Sequence, residues 1–445
     1  MTTARGGVRR LLDIRRKARF RIDVVLLALR HQLVVPAASA AGLSTLVALF
    51  LAFVDKFTIT GDTWLSAYWP LIIAVGFLSL GILLAVMGWE YQRRRNRFAV
   101  VPLDGFERAR LRASVMLSAS LEEAGFAFYL GPGEERFATS VRVNDYLREG
   151  GAEIMSLVRS PSRFVIPRFV LDYAPATLDR LLRDGRPRFN GRILGLRTEI
   201  LPDVCTVEVQ EVRYLEALVT EGLFHTVLRD QHSLDAKTPG RSLVLDDQST
   251  LQPLAMTAAT NYVGVSTLAL TDDNWMWFQR QGRASGANPG RWAPPGSGSV
   301  DWRDWVRADG ARSLHAVAGA AAQRELREEA HFGNWNPSLH TEILGYARLL
   351  DGAGKPDFFA LTRVGATKER VEAHLRAATV TNSEYGFVDE SELGSGISRA
   401  WVRVAADGVG ALGEAVRLFM REHTKEGQSI QNHVFAQILE ATATT

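Results

Sequence analysis

Arg324, Glu325, Arg327, Glu328 and Glu329 place five charges in six positions of the segment AAAQRELREEAHFG, residues 320–333. On a helix, Glu325, Glu328 and Glu329 stand at i, i+3 and i+4 and share one face. Three carboxylates on one face repel each other. They are tolerable on a solvated face if Arg324 and Arg327 pair with them, or if a divalent cation sits among them. Mg2+ takes oxygen ligands, keeps several waters and commonly bridges carboxylates to phosphate oxygens. The spacing therefore makes Glu325, Glu328 and Glu329 candidate metal ligands on a helix suited to a phosphate-bearing ligand.

Such a helix needs a sheet behind it. Tyr262–Leu270 reads as a strand, Thr271–Asn274 as a turn and Trp275–Arg280 as a returning strand. A Gly/Pro-rich loop, Ala287–Ser299, leads to a helix from about Arg312 to Ala330. Two further strands, Ile343–Leu350 and Phe358–Arg363, precede a helix from about Thr367 to Arg376, and the tail from Gly410 to about Leu439 is helical by pattern. Hairpin, loop, helix, hairpin, helix packs naturally as an α/β/α sandwich on a mixed sheet.

These residues resemble the Nudix box: Gly, five residues, Glu, seven residues, then Arg-Glu-aliphatic-any-Glu-Glu-any-Gly-aliphatic. Arg324, Glu325, Leu326, Glu328 and Glu329 match, Gly310 lies at the required spacing upstream, and Phe332 fills the last apolar position. The resemblance implies Mg2+ held by Glu325, Glu328 and Glu329, with Glu329 as the catalytic carboxylate and Arg324 orienting a carboxylate by pairing with it. Two positions depart from the pattern. Ala316 stands where the first Glu belongs, and His331 where the Gly after the Glu pair belongs. Those departures leave open a domain that binds a nucleotide without cleaving it. Trp292 and Trp302 flank the Gly-rich loop, where packing is the ordinary use of such rings and stacking on a base is the functional alternative. Trp292 and Arg324 are the candidate ligand contacts. Lys355 lies where it could face phosphate, although solvation is its ordinary role.

Residues 1–100 carry 14 Lys and Arg against 5 Asp and Glu, and the remainder 38 against 44. The pI of 9.0 thus belongs to the N-terminal hundred. The acidic body argues against a nucleic-acid duplex as partner. Leu33–Val54 and Thr63–Trp89 hold no charged residue, and each meets the length of about 20 apolar residues that spans a bilayer. Arg and Lys residues from Arg5 to Arg30, and again at Arg93, Arg94, Arg95 and Arg97, predict that both ends face the cytoplasm. Small residues recur along both spans, at Ala37, Ala41, Thr45, Ala48 and Ala52 and at Ala74, Gly81, Ala85 and Gly88, a pattern that allows helices to approach within a hairpin or between protomers.

In the middle, Glu107–Gly125 and Pro175–Gly185 read as helices, and RFVIPRFVL reads as an edge strand limited by Pro167. The segment CTVEVQEVRYLEAL is a better strand, and Cys205 within it is expected to be a buried apolar residue. The expected organisation is a basic N-terminal segment (1–32), a first span (33–54), an external loop (55–68), a second span (69–89), a mixed linker domain (100–190) and a Nudix-like domain with an N-terminal extension (191–445). The expected fold class is α/β: two N-terminal transmembrane helices plus a cytosolic α/β/α Nudix-like domain.

That combination resembles the membrane-anchored Nudix-domain effectors of bacterial cyclic-nucleotide antiphage (CBASS) defence. The resemblance implies a multi-pass protein of the bacterial inner membrane. Its cytosolic domain would sense a cyclic or other nucleotide, assemble as a homo-oligomer and disrupt the lipid bilayer. The alternatives are a tethered Mg2+-dependent hydrolase of nucleoside diphosphate derivatives and a protein-binding scaffold.

Overall fold

The computed structural model describes residues 88–130, 136–183, 190–233, 235–280, 292–308, 312–330, 335–381, 399–404 and 414–417, with isolated positions including Asp23, Phe332 and Phe419. They divide into two compact units. One comprises Met1–Val101, Ile166–Asn190 and Val227–Lys237, and the other Pro102–Val165, Gly191–Thr226 and Thr238–Thr445.

The expectation of two transmembrane helices is corrected. Among the described residues no helix is long and apolar enough to cross a membrane. An apolar run of spanning length is a composition signal, whereas crossing needs an unbroken apolar helix of about 20 residues. The described helical residues 88–97 read GWEYQRRRNR and turn charged at Glu90. The first expected span and the external loop lie outside the described residues. The fold is mixed helix and strand with several sheets. A three-stranded sheet, all but its end residues Pro102 and Thr226 in the first unit, pairs Thr226–Asp230 with both Phe98–Pro102 and Ala236–Lys237, and Phe98 packs edge-on against Tyr173 at 4.7 Å.

The second unit contributes strands β1 (Phe126–Leu130), β2 (Arg136–Ser140), β3 (Ser156–Arg159), β4 (Arg192–Leu196), β5 (Thr206–Arg213), β6 (Gly264–Thr271), β7 (Trp275–Arg280), β8 (Trp292–Ala293), β9 (Gly296–Ser299), β10 (Leu339–Leu349), β11 (Lys355–Val364) and β12 (Arg399–Arg403). Its helices include α1 (Trp302–Arg307), α2 (Leu314–Glu329) and α3 (Lys368–Thr381). A nine-stranded sheet runs β8-β7-β6-β11-β10-β2-β1, with β9 added to β6 and β12 to β7. At its centre β6 runs parallel to β11, from Gly264 opposite Asp357 to Thr271 opposite Val364. On its other edge β6 pairs antiparallel with β9 through Gly264–Thr267 and with β7 at Ala269 and Leu270.

Side chains alternate across the sheet because successive strand residues point to opposite faces. Leu268, Leu270, Phe278, Phe359 and Leu361 join Val416 and Phe419 on one face. Ala269, Trp277 and Val364 join Leu326 and Ala330 of the α2 end and Val371 and Leu375 of α3 on the other. Each fully buried Leu, Val or Phe contributes about 1.5–3 kcal/mol of burial free energy, so these two layers hold the sheet between helices. A second sheet has order β3-β5-β4, with β3 parallel and β4 antiparallel to β5.

Three local expectations change. Glu107–Gly125 is two helices, Gly105–Ser114 and Ala119–Glu123, because Val115 turns extended and Met116–Leu117 pairs with Thr250–Leu251. The RFVIPRFVL segment holds no strand: Pro167 precedes a short helix, Arg168–Leu171, where its fixed φ suits the helix start. Cys205 is exposed, just ahead of β5, and is not the buried apolar residue expected.

Candidate functional site

The hydroxyl of Ser313 starts α2 by accepting from Ala316 N–H at 3.1 Å. A side-chain oxygen here satisfies one of the first-turn donors that a helix leaves open. Leu314, Val317, Ala318, Ala321, Ala322 and Leu326 bury one side of α2, leaving its charged end at the sheet margin. Ala316 sits nine positions before Glu325, about 13 Å along the axis at 1.5 Å per residue. The residue that replaces the first box Glu is thus a first-turn residue remote from the carboxylates. Gly310 and His331 lie outside the described residues.

The strand beside α2 is β9, GSGS, and its glycines explain the approach. A Cβ on Gly296 would lie 2.9 Å from Leu326 N and 3.0 Å from Leu326 Cα, a clash with helix backbone. A Cβ on Gly298 would occupy the place of the Glu325 carboxylate. Only residues without a side chain let strand and helix meet here.

Arg324 organises the acidic end. Its guanidinium reaches Asp304 of α1 at 2.9 Å, Glu325 at 2.7 Å, Glu328 at 3.5 Å and the Ser299 carbonyl oxygen at 2.8 Å. Its side chain is 13% exposed, and those of Asp304 and Glu325 are 3% and 13% exposed. Asp304 is held in turn, because its carboxylate accepts from Asp301 N–H at 2.9 Å in the box that caps α1. Burial works against the charge of Arg324, but the bond to Asp304 and the field of Glu325 outweigh it, and the guanidinium stays firmly protonated. For Glu325, burial wins over the adjacent Arg324, whose charge is shared with Asp304. With Glu328 and Asp301 adding negative charge, the carboxyl is pushed up to about 7. Arg327, expected to pair with the acids, is half-buried and makes no ion pair among the described residues.

Glu329 turns to the sheet. One of its carboxylate oxygens accepts from Ser297 N–H at 3.1 Å and lies 3.4 Å from Gln279 Nε2. Beside it, Gln279 Oε1 and Ser297 Oγ are buried without a hydrogen-bond partner among the described residues, although Gln279 is only 7% exposed. Buried polar atoms are nearly always satisfied, so this pair has hydrogen-bonding capacity that a water or a ligand atom can use.

Of the three candidate metal ligands, Glu325 pairs closely with Arg324, Glu328 is exposed and 3.5 Å from the same guanidinium, and Glu329 is held by β9. Among the described residues no group of three or more His, Cys, Asp or Glu side chains is arranged to hold a metal ion. The pairing of Arg324 with Glu325 is the one that the box resemblance implies.

Trp292 is 4% exposed in the apolar layer, edge-on to Phe419 at 5.7 Å, which leaves no open ring face for a base. Trp302 is likewise buried and lies 4.6 Å from Trp305. Lys355 opens β11 with its ammonium 3.5 Å from Asp357 and over the Tyr262 ring at 5.0 Å, so it is paired and largely buried, where solvation was expected. Sequence reasoning missed Asp304, Gln279 and Ser297. The Asp-x-x-Asp spacing of residues 301–304 was the available signal for the first, since it reads as a helix cap. Nothing local marks the other two.

Glu325 makes stability pH-dependent in a defined direction. Its folded-state pKa of about 7 exceeds the ordinary 4.5, so the folded chain keeps a proton that the unfolded chain has lost. The favourable contribution is present below the unfolded value and is lost as pH rises through about 7. Calorimetric melting between about pH 5 and about pH 8 should show a larger fall for the natural chain than for Glu325→Gln. Parallel profiles would count against this ionisation.

No family model matches the chain, and no curated protein matches it either.

Proposed function

We propose that the α/β/α domain is a nucleotide sensor that binds its ligand at the corner of α2, β7 and β9 and does not cleave it. The observation that carries this reading is the Glu329 corner: a carboxylate beside the unsatisfied Gln279 Oε1 and Ser297 Oγ. Two acceptors and one hydroxyl suit an edge bearing amino donors and ring acceptors, as a nucleobase does. The box resemblance supplies the ligand class, and the resemblance to CBASS effectors supplies the setting, a cyclic-nucleotide signal in antiviral defence. Ala316 in place of the first box Glu, and the engagement of Glu329 by the Ser297 N–H, favour sensing over metal-dependent hydrolysis. The test is calorimetric titration of the full chain with a panel of cyclic di- and trinucleotides. At least one should bind, and Gln279→Ala should weaken it about 10-fold, as expected for a lost buried hydrogen bond. Absence of binding across the panel would sink the reading, and Mg2+-dependent turnover would replace it with the hydrolase.

A further inference from the structure

Beyond the nucleotide corner, the β3-β5-β4 sheet carries a second feature. Its register puts Arg159, Glu211, Arg192 and Arg213 on one face: Arg159 stands opposite Val209, two residues before Glu211, and Arg192 stands opposite Arg213, two residues after it. Arg163, in the segment following β3, reaches the same carboxylate. Glu211 is 5% exposed, and its oxygens lie 2.7 Å from Arg163, 3.8 Å from Arg192 and 3.9 Å from Arg159. The three arginine side chains are 58%, 56% and 53% exposed. One carboxylate thus faces three guanidinium groups, with Arg213 adding a further cation to the strand pair.

We propose that this face is a receptor for a phosphate-bearing small anion. Like charges directly opposite across an antiparallel pair are unfavourable, and Arg192 and Arg213 are so placed. An arginine carries five N–H donors in a planar fork that matches phosphate oxygens, and one buried carboxylate leaves most of the donors here to solvent. Glu211 acts as the anchor that gathers the forks from separate elements before the anion arrives. Arg159 also lies over the Trp302 ring at 5.4 Å, which fixes its direction from the other side. The remainder of the chain beyond residue 100 is acidic, so a long polyanion would meet repulsion away from this face, and a small anion fits the patch better.

Inorganic pyrophosphate is the probe. Its affinity for the full chain is measured by calorimetry for the natural protein, for the Arg159→Gln/Arg192→Gln double variant and for Arg142→Gln. The double variant keeps Arg163 on Glu211, so the anchor stays paired. Arg142, paired with exposed Asp203, serves as a control elsewhere that matches the charge loss of single Arg159→Gln. The natural chain and Arg142→Gln should bind alike, and the double variant about 10-fold more weakly or worse. Single Arg159→Gln is read the same way if the double variant does not fold. No pyrophosphate binding by the natural chain, or equal affinity in all variants, overturns the proposal. A cyclic nucleotide that still binds while pyrophosphate does not would overturn this receptor and leave the nucleotide corner standing. Pyrophosphate binding with no nucleotide binding would do the reverse.

Discussion

Replacing Arg324 with Met should destabilise the second unit by roughly 3–5 kcal/mol, the cost of removing one partner from a buried ion pair. The loss is large because the guanidinium serves several groups at once. Without it, Asp304 keeps only its cap to Asp301, Glu325 is left buried beside Glu328, and the Ser299 carbonyl loses its donor. Hydrophobic replacement of the cation leaves acids that cannot reach water. Arg324→Lys should recover part of the loss, since an ammonium keeps the charge but cannot span Asp304, Glu325 and Ser299 together. Glu328→Gln should change stability by no more than about 1 kcal/mol, because its side chain is 54% exposed and 3.5 Å from Arg324. Urea unfolding of the four proteins gives the comparison. An Arg324→Met variant within about 1 kcal/mol of the natural chain would mean that the acidic end is not organised by this residue.

The second large effect lies away from the candidate site. Arg348 of β10 is fully buried and donates to Glu199 at 2.6 Å, to the Gly354 carbonyl and toward the Gln252 carbonyl at 3.5 Å. Glu199 also accepts from Tyr346 Oη at 2.6 Å and from Leu254 N–H at 3.2 Å. Burial, with the charge of Glu199 adding to it, holds the Tyr346 phenol well above its ordinary pKa, so it remains a donor. Arg348→Met should cost roughly 3–5 kcal/mol by stranding the Glu199 carboxylate. Glu199→Leu/Arg348→Met should recover much of that, because a buried pair replaced as a whole by apolar groups is often near neutral. Non-additivity above about 1 kcal/mol in the double-mutant cycle is the expected reading, and simple additivity would mean that the two side chains act independently.

Much of the sheet and helix order near α2 was legible because its signals are local. The strand at Tyr262–Leu270, the return at Trp275–Arg280 and the helix from about Arg312 to Ala330 appear as β6, β7 and α2 with shifts of a few residues. What was not legible depends on distant pairing. β2 joins β10 through Thr139 opposite Ala347, more than two hundred residues away, and no pattern within Arg136–Ser140 announces that. The break in Glu107–Gly125 likewise comes from a strand partner at Thr250–Leu251. At the site, the spacing of Glu325, Glu328 and Glu329 placed them on one helix, but spacing cannot say which partner each side chain finds. Arg324 turning to Asp304, Glu329 turning to Ser297 and the gathering of Arg159, Arg163 and Arg192 on Glu211 all arise from chain segments that meet only in the fold.

Calorimetric titration of the full chain with a cyclic nucleotide, run in EDTA and again in Mg2+, tests metal-independent recognition most directly. The expected result is one affinity in both buffers, with the nucleotide recovered intact. Binding that appears only with Mg2+, or a nucleotide recovered as its hydrolysis product and lost in Glu325→Gln, would contradict it.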